Sequence, residues 1–236
     1  MRARGADFSS YQDGAHVQSA IQHGLGFALV KVSQSDDYTS PQARFQIGRL
    51  EASGTLVGLY HFLSHDVDGA RQFDFFEAHM PMLNSGCVVA CDQESDRGVL
   101  VPDAIARAFI KRGRQRGFKV GRYGDARVMG RRLGEDWRWF ARWAGTPPAG
   151  AWDVWQFAKG EHGDPDWNVF KGDQAHLKAW WVANGRRDRP ATPRWWLHDE
   201  LEKVAIGPYR LPQLGPRLVA YVARHGRSSR FELVRK

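Results

Sequence analysis

The chain has 236 residues, 42% of them hydrophobic and 25% charged. That length supports one large core or a domain with an appendage, and the composition excludes collagen-like and wholly disordered chains. No stretch approaches the roughly 18 apolar residues of a membrane helix. The start, MRARGADFSSYQ, lacks the apolar run of a secretory leader. The expectation is a chain made in the cytoplasm, with no membrane span.

The net charge of +8 is uneven. Residues 1–106 carry 7 basic and 13 acidic side chains, residues 107–132 carry 10 and 1, and residues 190–236 carry 9 and 4. A basic segment after an acidic half suggests a face that meets a polyanion such as nucleic acid, anionic wall polymer or lipid head groups; a solvated, arginine-rich helix face is the alternative. Cys87 and Cys91 are four apart, about 13 Å along a strand, too far to bridge within it. All ten tryptophans follow position 136, and indoles serve equally as core filling and as platforms for sugars or bases.

Through residue 185, short β-rich runs alternate with helical stretches. Strands are expected at Arg4–Phe8, Phe27–Val32, Leu56–Phe62, Cys87–Gln93, Lys119–Tyr123, Trp139–Trp143, Asp153–Phe157 and Trp167–Phe170. Helices are expected at Ala15–His23, Pro41–Ser53, Asp66–Met82, Pro102–Gly117, Asp125–Leu133 and Asp173–Asn184. Ala144–Ala151 (AGTPPAGA) has no helical period, so some late helices are missing. Eight strands in βα alternation point to a closed parallel TIM-like barrel of the α/β class. An open doubly wound sheet is the alternative, and neither a GxGxxG fingerprint nor a P-loop is present. Residues 1–185 thus form a barrel and 186–194 a linker. Residues 195–236 form a small basic appendage, with short helices expected at Trp195–Val204 and Gly215–Gly226.

In such barrels the working side chains stand where strands end at the C-terminal face. Asp7 closes the first strand, Asp92 and Glu94 close the fourth, and Asp166 stands at the start of the eighth. Strand side chains alternate, so Asp92 and Glu94 share a face, with Cα atoms about 6.6 Å apart, while Cys91 and Gln93 turn toward the helices. Two inward carboxyls at that spacing suit glycoside hydrolysis, and crowding in a desolvated pocket keeps one protonated near neutrality. A single acid at a strand end is ordinarily a helix cap or a surface ion pair; four converging on one mouth are not. His61, by the same alternation, faces the helices as a satisfied core histidine.

The segments GADFSSYQ, FALVKVSQSDDYTSP, VGLYHFL, VVACDQES, KVGRYGD, RWFARWAG, WDVWQFA and DPDWNVFKG, in this order, resemble the glycoside hydrolase family 25 lysozymes, the Chalaropsis-type muramidases common among phage endolysins. The resemblance covers residues 3–184. It implies the family's irregular barrel and cleavage of the β-1,4 bond between N-acetylmuramic acid and N-acetylglucosamine in peptidoglycan. Glu94 matches the proton donor, Asp92 the carboxylate beside it, and Asp7 and Asp166 the other two acids. Tyr60, Tyr123, Trp155, Gln156 and Asn168 fall where the family lines its sugar groove. Two routes stay open: attack by the substrate's 2-acetamido group with Asp92 steadying its nitrogen, which the resemblance favours, or direct action of Asp92. Neither uses a metal or cofactor. One departure is Gln34, where the family often has glutamate.

The resulting expectation is a monomeric, bacteriolytic phage or prophage endolysin that meets the cell wall after holin-dependent release. Its partners are peptidoglycan and, through the basic 107–132 segment and tail, an anionic envelope polymer, rather than nucleic acid. The competing expectation is a non-catalytic, wall-glycan-binding barrel of a phage structural component.

Overall fold

The computed structural model describes residues 1–185 except 82, 84, 85 and 162, and beyond them the strands Trp195–Asp199, Val204–Tyr209 and Phe231–Arg235. The chain forms two compact units, residues 1–187 and 188–236.

In the first unit the order is β1 (Arg4–Phe8), α1 (Gly14–Gln22), β2 (Phe27–Gln34), β3 (Tyr38–Thr39), α2 (Ala43–Ala52), β4 (Leu56–Phe62), α3 (Gly69–His79) and β5 (Val89–Asp92). There follow β6 (Ser95–Asp96), β7 (Val99–Leu100), α4 (Asp103–Gln115), β8 (Val120–Gly124), α5 (Ala126–Met129), β9 (Trp137–Ala141), β10 (Val154–Ala158), β11 (Asp166–Phe170) and α6 (Gln174–Asn184). Strands β1, β2, β4, β5, β8, β9, β10 and β11 close into a barrel, with β3 appended to β2. All neighbours from β1 through β10 run parallel. The closing strand β11 departs from the all-parallel expectation and pairs antiparallel with both β10 and β1. The reason lies in its connection: only seven residues, 159–165, separate β10 from β11, whereas twelve, 142–153, carry the helix-free chain from β9 to its parallel neighbour β10, and a parallel return needs a crossover of about a dozen residues.

Period-two alternation sorts the barrel side chains into two cores. Leu29, Tyr60, Ala90, Tyr123, Trp137 and Trp139 fill the interior. Leu59, Val89 and Cys91 face outward onto Phe73, Phe76 and Phe109 of α3 and α4. Phe109 is wholly buried, and a side chain of that size contributes about 1.5–3 kcal/mol on leaving water. Gly121 admits Trp137 to the interior, since a Cβ there would lie 2.1 Å from the indole. Both cysteines are buried. Aspartates at 13, 68, 125 and 173 cap α1, α3, α5 and α6 through backbone N–H groups.

Three local expectations are corrected. The helix expected at Asp125–Leu133 is only the four-residue α5, because the carbonyls of Val128, Met129 and Arg131 accept from the buried guanidiniums of Arg122 and Arg138 instead of continuing the helix. The sixth strand begins two residues early, where Trp137 pairs in register with Gly121. Residues 195–199 form a strand, β12, rather than the start of a helix. It lies between β13 (Val204–Tyr209) and β14 (Phe231–Arg235) in an antiparallel sheet, in keeping with the β propensity of Trp195 and Trp196. The linker at 186–194 and the helix expected at 215–226 fall outside the described residues.

Candidate active site

The mouth of the barrel follows from strand direction. Asp7 lies at the C-terminal end of β1 and Asp92 ends β5, with Glu94 two residues on. Asp166 begins β11, yet it stands opposite Asp7 in the β1–β11 register because that strand is reversed. All four acids line one cavity of about 580 Å³ with Tyr60, Tyr123, Gln156, Trp139 and Lys31.

Amide side chains organise the Asp7–Asp166 half. Gln156 Nε2 donates to Asp7 Oδ2 at 2.9 Å and to Asp166 Oδ2 at 3.1 Å. Its Oε1 accepts from Tyr123 Oη at 2.8 Å and Trp143 Nε1 at 3.1 Å, which fixes the amide's orientation. Asn168 Nδ2 donates to Asp7 Oδ2 at 2.7 Å, while its Oδ1 accepts from Trp139 Nε1 at 2.7 Å. Gly160 N–H donates to Asp166 Oδ1 at 2.7 Å.

The other half is less tied. Asp92 is 5% exposed, and its Oδ1 is buried without a hydrogen-bond partner. The Glu94 carboxyl is half-buried, with no hydrogen-bond partner among the described residues. Between them Gln93 turns outward. Its Oε1 accepts from Arg122 Nη1, and its Nε2 donates to the Val101 carbonyl and to Asp103, each at 2.9 Å.

Burial holds all four acids above their ordinary range, and repulsion from neighbouring carboxylates adds to it for Asp7, Asp92 and Glu94. Asp7 is pushed up from 3.8 to about 8, first by desolvation and then by the Asp166 charge, against the two amide hydrogen bonds. Asp92 is raised well above the carboxylate range by burial and then by Glu94. Glu94 is raised by burial, then by Asp125 and Asp166, while Arg127 and Lys31 pull it down. Burial raises Asp166 as well, against the Gly160 N–H and Lys159. Burial lowers Lys31, and the charges of Asp92, Glu94 and Asp96 restrain that shift. Asp7, pushed up to about 8, keeps its proton near neutrality.

Of the residues expected at the site, Asp7, Asp92, Glu94, Asp166, Tyr60, Tyr123 and Gln156 meet at this cavity, and Asn168 stands behind Asp7. Trp155 does not join them. It neighbours Gln156 on β10 and so faces the opposite way, its Nε1 donating to the Arg142 carbonyl and its ring packing near Trp152 and Phe157. Sequence reasoning missed Lys31, whose Nζ donates to Gln34 Oε1 at 2.8 Å. It also missed Trp139, whose ring lies 4.3 Å from Tyr123 and 5.5 Å from Tyr60, centroid to centroid. Both obey the alternation rule used for Asp92: Leu29 and Lys31 share the inward face of β2, as Trp137 and Trp139 share that of β9.

The chain matches the family model of glycosyl hydrolases family 25 over residues 6–164. It belongs to glycosyl hydrolase family 25. The family-25 match stops just short of Asp166 and Asn168, so β11 contributes to the cavity beyond the matched segment. Membership makes the chain a glycosidase. Its fold is similar to that of a muramidase from Acremonium alcalophilum, with 20% identity, TM-score 0.68, and coverage of 78% of this chain and all of that one. It is also similar to a lysozyme from Streptomyces coelicolor, with 22% identity, TM-score 0.67, and coverage of 76% and 96%. A third similar structure is the modular Cpl-1 endolysin complexed with a peptidoglycan analogue, with 17% identity, TM-score 0.56, and coverage of 87% and 64%. No curated protein matches by sequence. Outside the cavity, His65, Asp66 and Asp96 bring potential metal ligands within 4.8 Å of one another, but the Arg97 guanidinium already bridges both aspartates.

Proposed function

We propose that this family-25 glycosidase is a peptidoglycan hydrolase that cleaves the β-1,4 bond between N-acetylmuramic acid and N-acetylglucosamine. The observation that carries the reading is the meeting of four carboxyl groups in one sugar-sized cavity, with Glu94 free of competing hydrogen bonds. An acid so placed, and raised above its ordinary range, keeps a proton to give to the leaving oxygen.

The substrate's acetamido oxygen attacks the anomeric carbon while Glu94 protonates the departing glycosidic oxygen. Asp92 faces the acetamido nitrogen, and its unpartnered Oδ1 accepts the N–H. Positive charge developing there offsets the burial that disfavours the Asp92 anion. Asp7 and Asp166, held by Gln156 and Asn168, orient the sugar, and Tyr60, Tyr123 and Trp139 supply its apolar wall. Water then opens the cyclic intermediate, with Glu94 as base. In its biological setting the protein acts as a monomeric phage or prophage endolysin released to the wall through a holin.

Incubating purified peptidoglycan with the protein should yield new reducing ends, with mass spectra showing muropeptides that end in reducing N-acetylmuramic acid. Glu94→Gln should lower that rate by at least about 100-fold with thermal unfolding preserved. A fully active Glu94→Gln protein, or products ending in N-acetylglucosamine or anhydro sugars, would overturn the reading.

A further inference from the structure

We propose that the outer flank of α4 binds a phosphodiester-linked anionic chain of the cell wall, at a surface separate from the sugar cavity. The choice of polymer rests on the peptidoglycan reading above; the existence of the surface does not.

Most of the basic side chains in 107–132 are engaged locally. Arg112 pairs with Asp74, Arg116 with Glu77, Arg127 with Asp125 and Arg131 with Asp103. Buried Arg122 pairs with Glu135, and Lys119 donates to the Ala183 carbonyl. Arg107 and Lys111 are different: both are exposed, and neither has an ion-pair or hydrogen-bond partner among the described residues. Exposed Arg114 gives one N–H to the Gly134 carbonyl at 3.1 Å and lies 3.8 Å from Asp136. These three positions are spaced i, i+4 and i+7, one stripe of the helix, and span about 10 Å at 1.5 Å rise per residue. They line an open groove of about 420 Å³ together with Ile110 and Leu133, and no carboxylate contributes to its lining.

The groove and the sugar cavity share no lining residue. Gln115 ends α4 and Gly134 precedes β9, so the groove opens at the end of the barrel opposite the mouth. A row of cations suits a chain with repeating negative charge better than one small anion. Guanidinium forks match phosphate oxygens, while Ile110 and Leu133 are buried beneath the row of cations. No aromatic ring lines the groove, whereas single-stranded nucleic acid sites stack bases on such rings. A polymer held there keeps the enzyme near the glycan while leaving its cavity open, which raises the effective substrate concentration.

The test uses the full chain with Glu94→Gln, so that sacculi are not digested, in a pelleting assay. Purified sacculi are compared before and after hydrofluoric acid extraction, which removes phosphodiester polymers. Binding should fall about tenfold on extraction and on combining Arg107→Gln, Lys111→Gln and Arg114→Gln, and the log–log salt slope should shrink by about 2. The Arg112→Gln, Arg116→Gln pair, which removes charge from the same helix but from its paired side, should bind like the parent. Poly(glycerol phosphate) should compete better than polynucleotide. In the Glu94-intact background the triple variant should cleave a short soluble glycan at the parental rate. Unchanged binding by the triple variant, equal loss in the Arg112/Arg116 control, indifference to extraction, or preferential competition by polynucleotide would each overturn the proposal. Failure of the parent to hydrolyse any glycan would overturn the hydrolase reading and leave the binding result standing.

Discussion

Asp7 holds its proton far into the neutral range, and this has a consequence for folding as well as chemistry. Unfolded, the carboxyl ionises near 3.8; folded, it does so near 8. Between those values the native state binds more protons, so this group's contribution to stability is full below about pH 4 and is lost as pH rises to 8. Asp7→Asn keeps an acceptor for Gln156 and Asn168 and removes the ionisation. It should raise Tm at pH 8, where the buried carboxylate would otherwise ionise, with little gain at pH 4; melting curves across that range check the slope. Lys31 offers a second test. It lowers both Asp92 and Glu94, and Gln34 accepts its hydrogen bond without adding charge. Gln34→Glu should move the alkaline limb of the kcat/KM profile upward by about half a pH unit. Asp92 and Glu94 were legible in the sequence because two acids two positions apart on a strand must share a face. Lys31 obeyed the same parity, but a lone lysine in an apolar run reads as a surface residue until the barrel closes around it. Trp155 erred through the same rule, since it and Gln156 cannot both face inward.

The elements around these residues are held by polar anchors as much as by packing. The outward side chain of Gln93 fastens the segment that carries Asp92 and Glu94 to Arg122, Val101 and Asp103. Gln93→Met keeps the volume and strands those partners. It should cost about 1–3 kcal/mol in urea unfolding and lower kcat more than KM, because the two acids lose their common reference; unchanged kcat would count against that anchoring. Gly121→Ala should cost about 1–3 kcal/mol by overpacking Trp137, read as a lower Tm with the pH profile unmoved. Strand positions were largely readable from apolar runs and their polar ends, Leu56–Phe62 to the residue. The truncated α5 was not, because the buried arginines that capture its carbonyls come from β8 and β9. The direction of β11 was hidden too: its residues carry strand character either way, and what decides is the short connection of residues 159–165, too short to return the chain in parallel.

At the scale of the molecule, all acids of the cavity lie in the first compact unit, residues 1–187. A chain ending at Arg187 should therefore fold and cleave a short soluble glycan at close to the full-length rate; collapse of its cooperative melting transition would show that the barrel depends on residues 188–236. The charge asymmetry of the sequence identified the basic segment, but which of its cations are unengaged depended on where Asp74, Glu77, Asp103 and Glu135 came to lie.

The reversed β11 joins two events that the chain could have kept apart. Asp7, from the first barrel strand made, meets Asp166, from the last barrel strand, only when the seam between β1 and β10 is sealed. Until a ribosome has released the segment that contains Asp166, Asn168 and their neighbours, the growing polypeptide holds half the cavity and an open wall. The clasp between Asp7 and Asp166 thus forms in one step with closure of the barrel, and a product interrupted or clipped before β11 lacks both Asp166 and Asn168.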